Sequence, residues 1–147
     1  MRLWHYELLP YLPDLQFKGQ LRELVAIMRD WRDKGTTNHL LINKVMEFSP
    51  KELLYYFSIY EAEYLRRYGK TLDSYEEEFV VFCLWYKPSS YGSKCYDGWH
   101  NKEYLRVCMA NLYEKHIFGV GKSRITDEEW ETLCRGYKNI TGEEYVI

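Results

Sequence analysis

No stretch of this 147-residue chain approaches the roughly 18 consecutive apolar residues of a membrane span, which argues against a helical membrane anchor. No secretory leader is expected, because Glu7, Pro10, Pro13 and Asp14 interrupt any apolar run over the first residues. A cytoplasmic protein is expected. Cysteine is sparse and scattered: Cys83, Cys95, Cys108 and Cys134 include no C-x-x-C pair, so reduced thiols are expected and a disulfide framework is not. His5, His39, His100 and His116 add no ligand spacing to them, so neither a metal nor a cofactor is expected. Gly119-Val120-Gly121-Lys122-Ser123 resembles the end of a phosphate loop, but position 116, where that motif needs glycine, is His116.

An excess of positive charge is missing too. The formal net charge is -2, against the basic balance expected of a protein that neutralises many phosphates. Distribution qualifies the sum. Between Lys87 and Arg124 seven bases face three acids, a local excess of four, so a basic face on a near-neutral protein is compatible with the sequence.

What the chain has in quantity is helical periodicity and aromatic side chains. Asp14 can cap a helix in which Leu21, Leu24, Val25, Met28 and Trp31 recur at spacings of three and four until Lys34-Gly35. A shorter helix is expected over 38–48, with Leu41, Val45 and Phe48 on one face. Ser49-Pro50-Lys51-Glu52 and Ser74-Tyr75-Glu76-Glu77 read as capping boxes opening two more helices, and Thr126-Asp127-Glu128-Glu129 opens the last. Another helix runs from about Asn101 to His116, following a loop over 88–99. The expected fold is all-α: a compact single-domain bundle of about five helices, at a length sufficient to bury a core without staples.

Fifteen tyrosines in an 18% aromatic composition admit two readings. In one they build core and rim, with hydroxyls reaching water. In the other, Tyr86, Tyr91, Tyr96 and Trp99, interleaved with Lys87 and Lys94, form a stacking and phosphate-contacting surface for nucleic acid.

Several elements occur in a telling order: Arg2-Leu3-Trp4-His5, the leucines and prolines through Pro13, Arg22-Glu23-Leu24, Phe48-Ser49-Pro50, then Tyr60 and Tyr64-Leu65-Arg66-Arg67. Over about residues 1–68 this order resembles the pyrimidine-dimer DNA glycosylases of the phage endonuclease V type. The resemblance implies a metal-independent DNA repair glycosylase with linked AP-lyase activity, acting on pyrimidine-dimer-like or abasic sites in double-stranded DNA. It implies that the α-amine of Met1 is the nucleophile and Glu23 the catalytic acid and base.

The chemistry is sound on its own terms. An α-amine with a pKa of about 8 is partly unprotonated at neutral pH, whereas a lysine at about 10.4 is almost wholly charged. Arg2 and Arg22 would depress the amine pKa further and could hold phosphates. Lys18, Arg22 and Arg29 share one polar flank of the first helix, a phosphate-facing stripe or an ordinary wet face, and the resemblance places His5 near the nucleophile.

Two departures from the family stand out. Arg2 is bulky, so Met1 should be retained rather than removed. A second basic residue expected shortly after Arg-Glu is Ala26, unless Arg29 substitutes one turn later. The competing reading is a non-catalytic helical module that binds nucleic acid or a protein. Oligomeric state is not legible.

Overall fold

The computed structural model describes residues 2–35, 43–85 and 95–147. Among the described residues every regular element is helical, as the periodicity requires. The α-helices are α1 (Asp14–Lys34), α2 (Pro50–Tyr68), α3 (Asp73–Trp85), α4 (Lys102–Phe118) and α5 (Asp127–Thr141). Short 3-10 turns cover Tyr6–Tyr11, Lys44–Glu47 and Gly121–Ser123. None of the described helices is long and apolar enough to cross a membrane.

The cap signals set most boundaries. Ser49 Oγ accepts from Lys51 N at the start of α2, and Asn101 Oδ1 accepts from Tyr104 N at the start of α4. Thr126 and Glu129 form a full capping box on α5, each side chain accepting the other's backbone N–H. Gly35 and Gly69 close α1 and α2 at φ of +68° and +67°, where a side chain would be strained.

Other cap expectations fail instructively. Asp14 does not cap α1; as its first residue it accepts from Tyr68 Oη at 2.8 Å and Arg67 Nη1 at 3.2 Å, tying the start of α1 to the end of α2. The Tyr68 hydrogen bond does most to hold its carboxyl below the usual range. Glu52 keeps a hydrogen bond to the Ser49 backbone, as the box requires, and also accepts from Tyr96 N of the far loop at 3.0 Å. Helix α3 starts at Asp73, one residue before the expected cap, with Leu72 N donating to Glu61. Of the helix expected over 38–48, Leu41 lies outside the described residues, and Lys44–Glu47 is a 3-10 turn that buries Val45.

One continuous core joins these elements. Phe17, Leu24, Ile27 and Met28 of α1 are fully buried, together with Phe57 and Tyr60 of α2, Phe79 and Phe82 of α3, and Leu105, Cys108 and Leu112 of α4. Burying such side chains stabilises by roughly 1.5–3 kcal/mol each before entropy is counted. Among the described tyrosines, Tyr56, Tyr60, Tyr96 and Tyr137 are wholly buried, so these build the core without bringing their hydroxyls to water. Tyr60 Oη reaches a partner in Phe17 O at 2.7 Å.

Arg67 fixes the path of the N-terminal segment. Its guanidinium donates to the carbonyls of Leu9, Pro10 and Leu12, pairs with Glu63 and Asp14, and lies 4.1 Å from the centre of the Phe17 ring. A planar fork with five donors suits this gathering of carbonyls, which a lysine could not reproduce.

Candidate DNA-repair site

Residues 2–5 form no regular element and lie as a strap against α1 before the first 3-10 turn begins. Its backbone groups need partners, since Leu3, Trp4 and His5 are all buried. Helix α1 supplies several. Arg2 N donates to Glu23 Oε2 at 2.9 Å, and Trp4 N donates to Gln20 Oε1 at 2.8 Å. Gln20 Nε2 donates to Arg2 O at 2.9 Å and lies 3.4 Å from the same Glu23 oxygen. From α2, Tyr56 Oη donates to Trp4 O at 2.6 Å; from α4, Tyr104 Oη donates to Leu3 O.

The strap therefore brings residue 2 onto the carboxylate of Glu23, across a sequence separation of 21. Glu23 is half-buried on the flank of α1 and is held from the strap side. Met1 itself lies outside the described residues. The Arg2 guanidinium sits 5.4 Å from the centre of the Trp4 ring, with Nη1 buried and unpartnered.

His5 is expected near the nucleophile and on the DNA face, but it is only 1% exposed, so in this arrangement it is a structural group. Its Nδ1 accepts from Glu7 N at 3.2 Å, capping the first 3-10 turn. Burial lowers its pKa to about 4, opposed in part by the carbonyls of His100 and Asn101. His100 packs against it at 5.1 Å between ring centres and accepts from Tyr6 N at 3.0 Å. Burial, with the neighbouring His5, pushes His100 down as well. Desolvation makes a charged imidazole costly, and each ring is already committed as an acceptor from a backbone N–H.

The cationic candidates separate clearly. Arg22 is exposed and has no ion-pair or hydrogen-bond partner among the described residues, so its charge is available to a ligand. Lys18 is exposed, 5.3 Å from the centre of the Tyr68 ring. Arg29, the expected substitute for the base absent at Ala26, forms a two-pronged pair with Glu78 at 2.8 and 3.0 Å. That pair raises its pKa and competes with any phosphate. Ala26 instead lines a depression of about 260 Å³ with Leu21, Arg22, Val25, Arg29 and Tyr75.

Lys87, Lys94, Tyr86 and Tyr91 lie outside the described residues. The other half of the proposed stacking surface is overturned, because Tyr96 is wholly buried and Trp99 is 8% exposed. A turn over 95–99 folds them inward, where Tyr96 meets Phe48, Trp99 and His100 edge-on or tilted. Tyr96 holds a φ of +52° there, and Glu52 accepts its backbone N–H.

As for metals, Glu61, Asp73 and Glu76 are the described residues whose ligand atoms come within 4.8 Å of one another, two of them exposed. Glu61 already accepts from Leu72 N. All four cysteines are free thiols, and burial raises the pKa of each, leaving little thiolate for metal or nucleophilic work.

The sequence reading missed Gln20, Tyr56 and Tyr104. One signal for Gln20 was available: it shares a face with Phe17, Leu24 and Ile27, and a polar residue on a buried face needs partners.

A strap at residues 2–5 held against Gln20 and Glu23 of a long first helix defines an all-helical protein with a carboxylate fixed beside residue 2. The pyrimidine dimer DNA glycosylase family matches residues 1–76, just over half of the chain, and the chain belongs to that family. Its function is accordingly of the DNA glycosylase kind, in DNA repair, and DNA is its partner. No curated protein and no solved structure matches the chain.

Proposed function

We propose that the protein is a DNA glycosylase with linked AP-lyase activity on pyrimidine-dimer-like or abasic sites, with the α-amine of Met1 as nucleophile and Glu23 as acid and base. The observation that carries this reading is the 2.9 Å hydrogen bond from Arg2 N to Glu23 Oε2. Three covalent bonds separate the residue-1 α-nitrogen from Arg2 N, which keeps them within about 4 Å and the amine within about 7 Å of that carboxylate oxygen.

The amine attacks C1′ of the damaged nucleotide, forming a C1′–N bond as the glycosidic bond breaks and the base leaves with its electron pair. Loss of the amine proton and opening of the sugar ring give an imine. Glu23 delivers the proton that ring opening requires, then removes one from C2′, and the 3′ phosphate leaves in the elimination that cuts the strand. Arg22 and Lys18 hold flanking phosphates as exposed cations. Arg2, part-buried beside the strap, favours the uncharged amine by like-charge repulsion. At an abasic site the first base loss is already complete, so the imine forms directly.

Borohydride trapping on abasic duplex DNA tests this. The native chain yields a covalent adduct; a chain extended by several residues ahead of Met1 yields none. An equal adduct with the extended chain shows that a lysine is the amine. Glu23→Gln lowers strand cleavage at least 100-fold while DNA affinity stays within about twofold, in line with the loss of one acid–base group. Equal turnover in wild type and Glu23→Gln removes Glu23 from the site.

A further inference from the structure

Gln20 is 1% exposed, yet it carries a primary amide on the apolar face of α1. Every hydrogen-bonding position of that amide is used. Nε2 spends its two hydrogens on Arg2 O and toward Glu23 Oε2, while Oε1 accepts from Trp4 N and faces Tyr56 Oη at 3.1 Å. Backbone chemistry fixes the orientation, because Arg2 C=O can only accept and Trp4 N–H can only donate. A flipped amide would set oxygen against oxygen and N–H against N–H.

We propose that Gln20 is the positioning residue of the catalytic centre, its amide locking the register of the strap so that the peptide N–H of Arg2, the residue after the proposed nucleophile, is held on Glu23. The proposal rests on the imine reading above. Gln20 touches both parts of that centre, the peptide following the nucleophile and the catalytic carboxylate itself, and it is buried beneath them. No other described side chain bonds both the strap and Glu23. Two bonds to the strap, to Arg2 O and Trp4 N, define one alignment.

The amide is required as well as the shape. A carboxylate at this position keeps the size and the acceptor for Trp4 N, but loses the donor to Arg2 O and brings a second negative charge within about 3.4 Å of Glu23 Oε2. Two carboxylates that close share a proton, and the pair titrates at a higher apparent pKa than either alone.

The test uses the full chain with a free N-terminus on abasic duplex DNA, following single-turnover adduct formation under borohydride across pH, with affinity read on an uncleavable abasic analogue. Gln20→Met lowers adduct formation about 10- to 100-fold, the scale of a misplacement near 1 Å, while affinity changes by less than about twofold. Gln20→Glu moves the acid limb of the rate profile upward by at least about one pH unit, which loss of packing alone would not do. Amide hydrogen exchange in the absence of DNA supplies a readout free of catalysis: Trp4 N–H exchanges at least tenfold faster in either variant than in wild type, with Leu105 and Leu112 unchanged.

A wild type that forms no adduct overturns the imine reading and this proposal with it. Adduct in wild type with an equal rate in Gln20→Met, or an unmoved acid limb in Gln20→Glu, overturns the role of Gln20 alone. Should Gln20→Met fail to fold, the acid limb of the size-conserving Gln20→Glu decides.

Discussion

The N-terminal segment is gripped from two sides, and the two grips differ in kind. On the side of α1 and α2, Gln20, Glu23 and Tyr56 hold the strap through hydrogen bonds to backbone at residues 2 and 4. On the side of α4 and α5 single hydrogen bonds are joined by ring packing and close steric contact. Tyr104 reaches Leu3 O, His100 receives Tyr6 N, and Gly136 lets α5 press against the Tyr11 ring. The first side lies within the residues matched by the glycosylase family, whereas the helices of the second lie beyond them. In the proposed mechanism the contrast divides chemistry from support: one side would align the reacting groups, and the other closes the core behind them.

That division can be broken from the support side. Acid should have the largest effect. His5 has a folded pKa of about 4 against an ordinary 6.5, so the unfolded chain binds the proton first as pH falls. Stability is therefore full above pH 6.5 and declines between 6.5 and 4, by about 3 kcal/mol from this one group at about 1.4 kcal/mol per unit. His100 acts in the same direction. Denaturant titrations at pH 7 and pH 4 should show the decline, and His5→Gln should flatten it; an unchanged slope would place His5 outside the buried cluster.

Crowding comes next. A Cβ on Gly136 would lie 2.4 Å from Tyr11 Cγ, closer than any real contact, so Gly136→Ala should cost about 1–3 kcal/mol in denaturant unfolding, recovered in part by Tyr11→Ala. Tyr104→Phe leaves the Leu3 carbonyl without its donor and should cost about 1 kcal/mol, while abasic-site trapping falls by less than in the Gln20 variants. If Tyr104→Phe is as damaging to trapping as Gln20→Met, the two grips are not different in kind.

The smallest effect belongs to the exposed cations. Arg22→Ala should weaken DNA binding several-fold and reduce the slope of log affinity against log salt by about one. Arg29→Ala should change that slope less, because its guanidinium is already paired with Glu78.

Much of the scaffold was legible in the chain. The Thr126 capping box, the Ser49 cap and the glycine stop after Lys34 are signals confined to a few residues, where backbone donors and acceptors must be satisfied locally. The order of Arg2, Arg22-Glu23 and Phe48-Ser49-Pro50 was legible in the same way and led to the family. Several misplaced expectations concern groups whose partner lies far along the chain. Asp14 looks like a cap until Arg67 and Tyr68 arrive from α2. Tyr96 and Trp99 look like a stacking surface until Glu52 and Phe48 draw their turn inward.

By itself, then, the sequence determined which segments are helical, where they stop, and which family the chain belongs to, because periodicity and capping depend on neighbours within about one turn. Tertiary structure decided what the polar groups do. Gln20 meets Trp4 across 16 residues, Glu23 meets Arg2 across 21 and Tyr104 meets Leu3 across 101. A buried polar atom must find a partner, but which partner it finds is set by where the chain crosses itself, and no local pattern encodes that crossing.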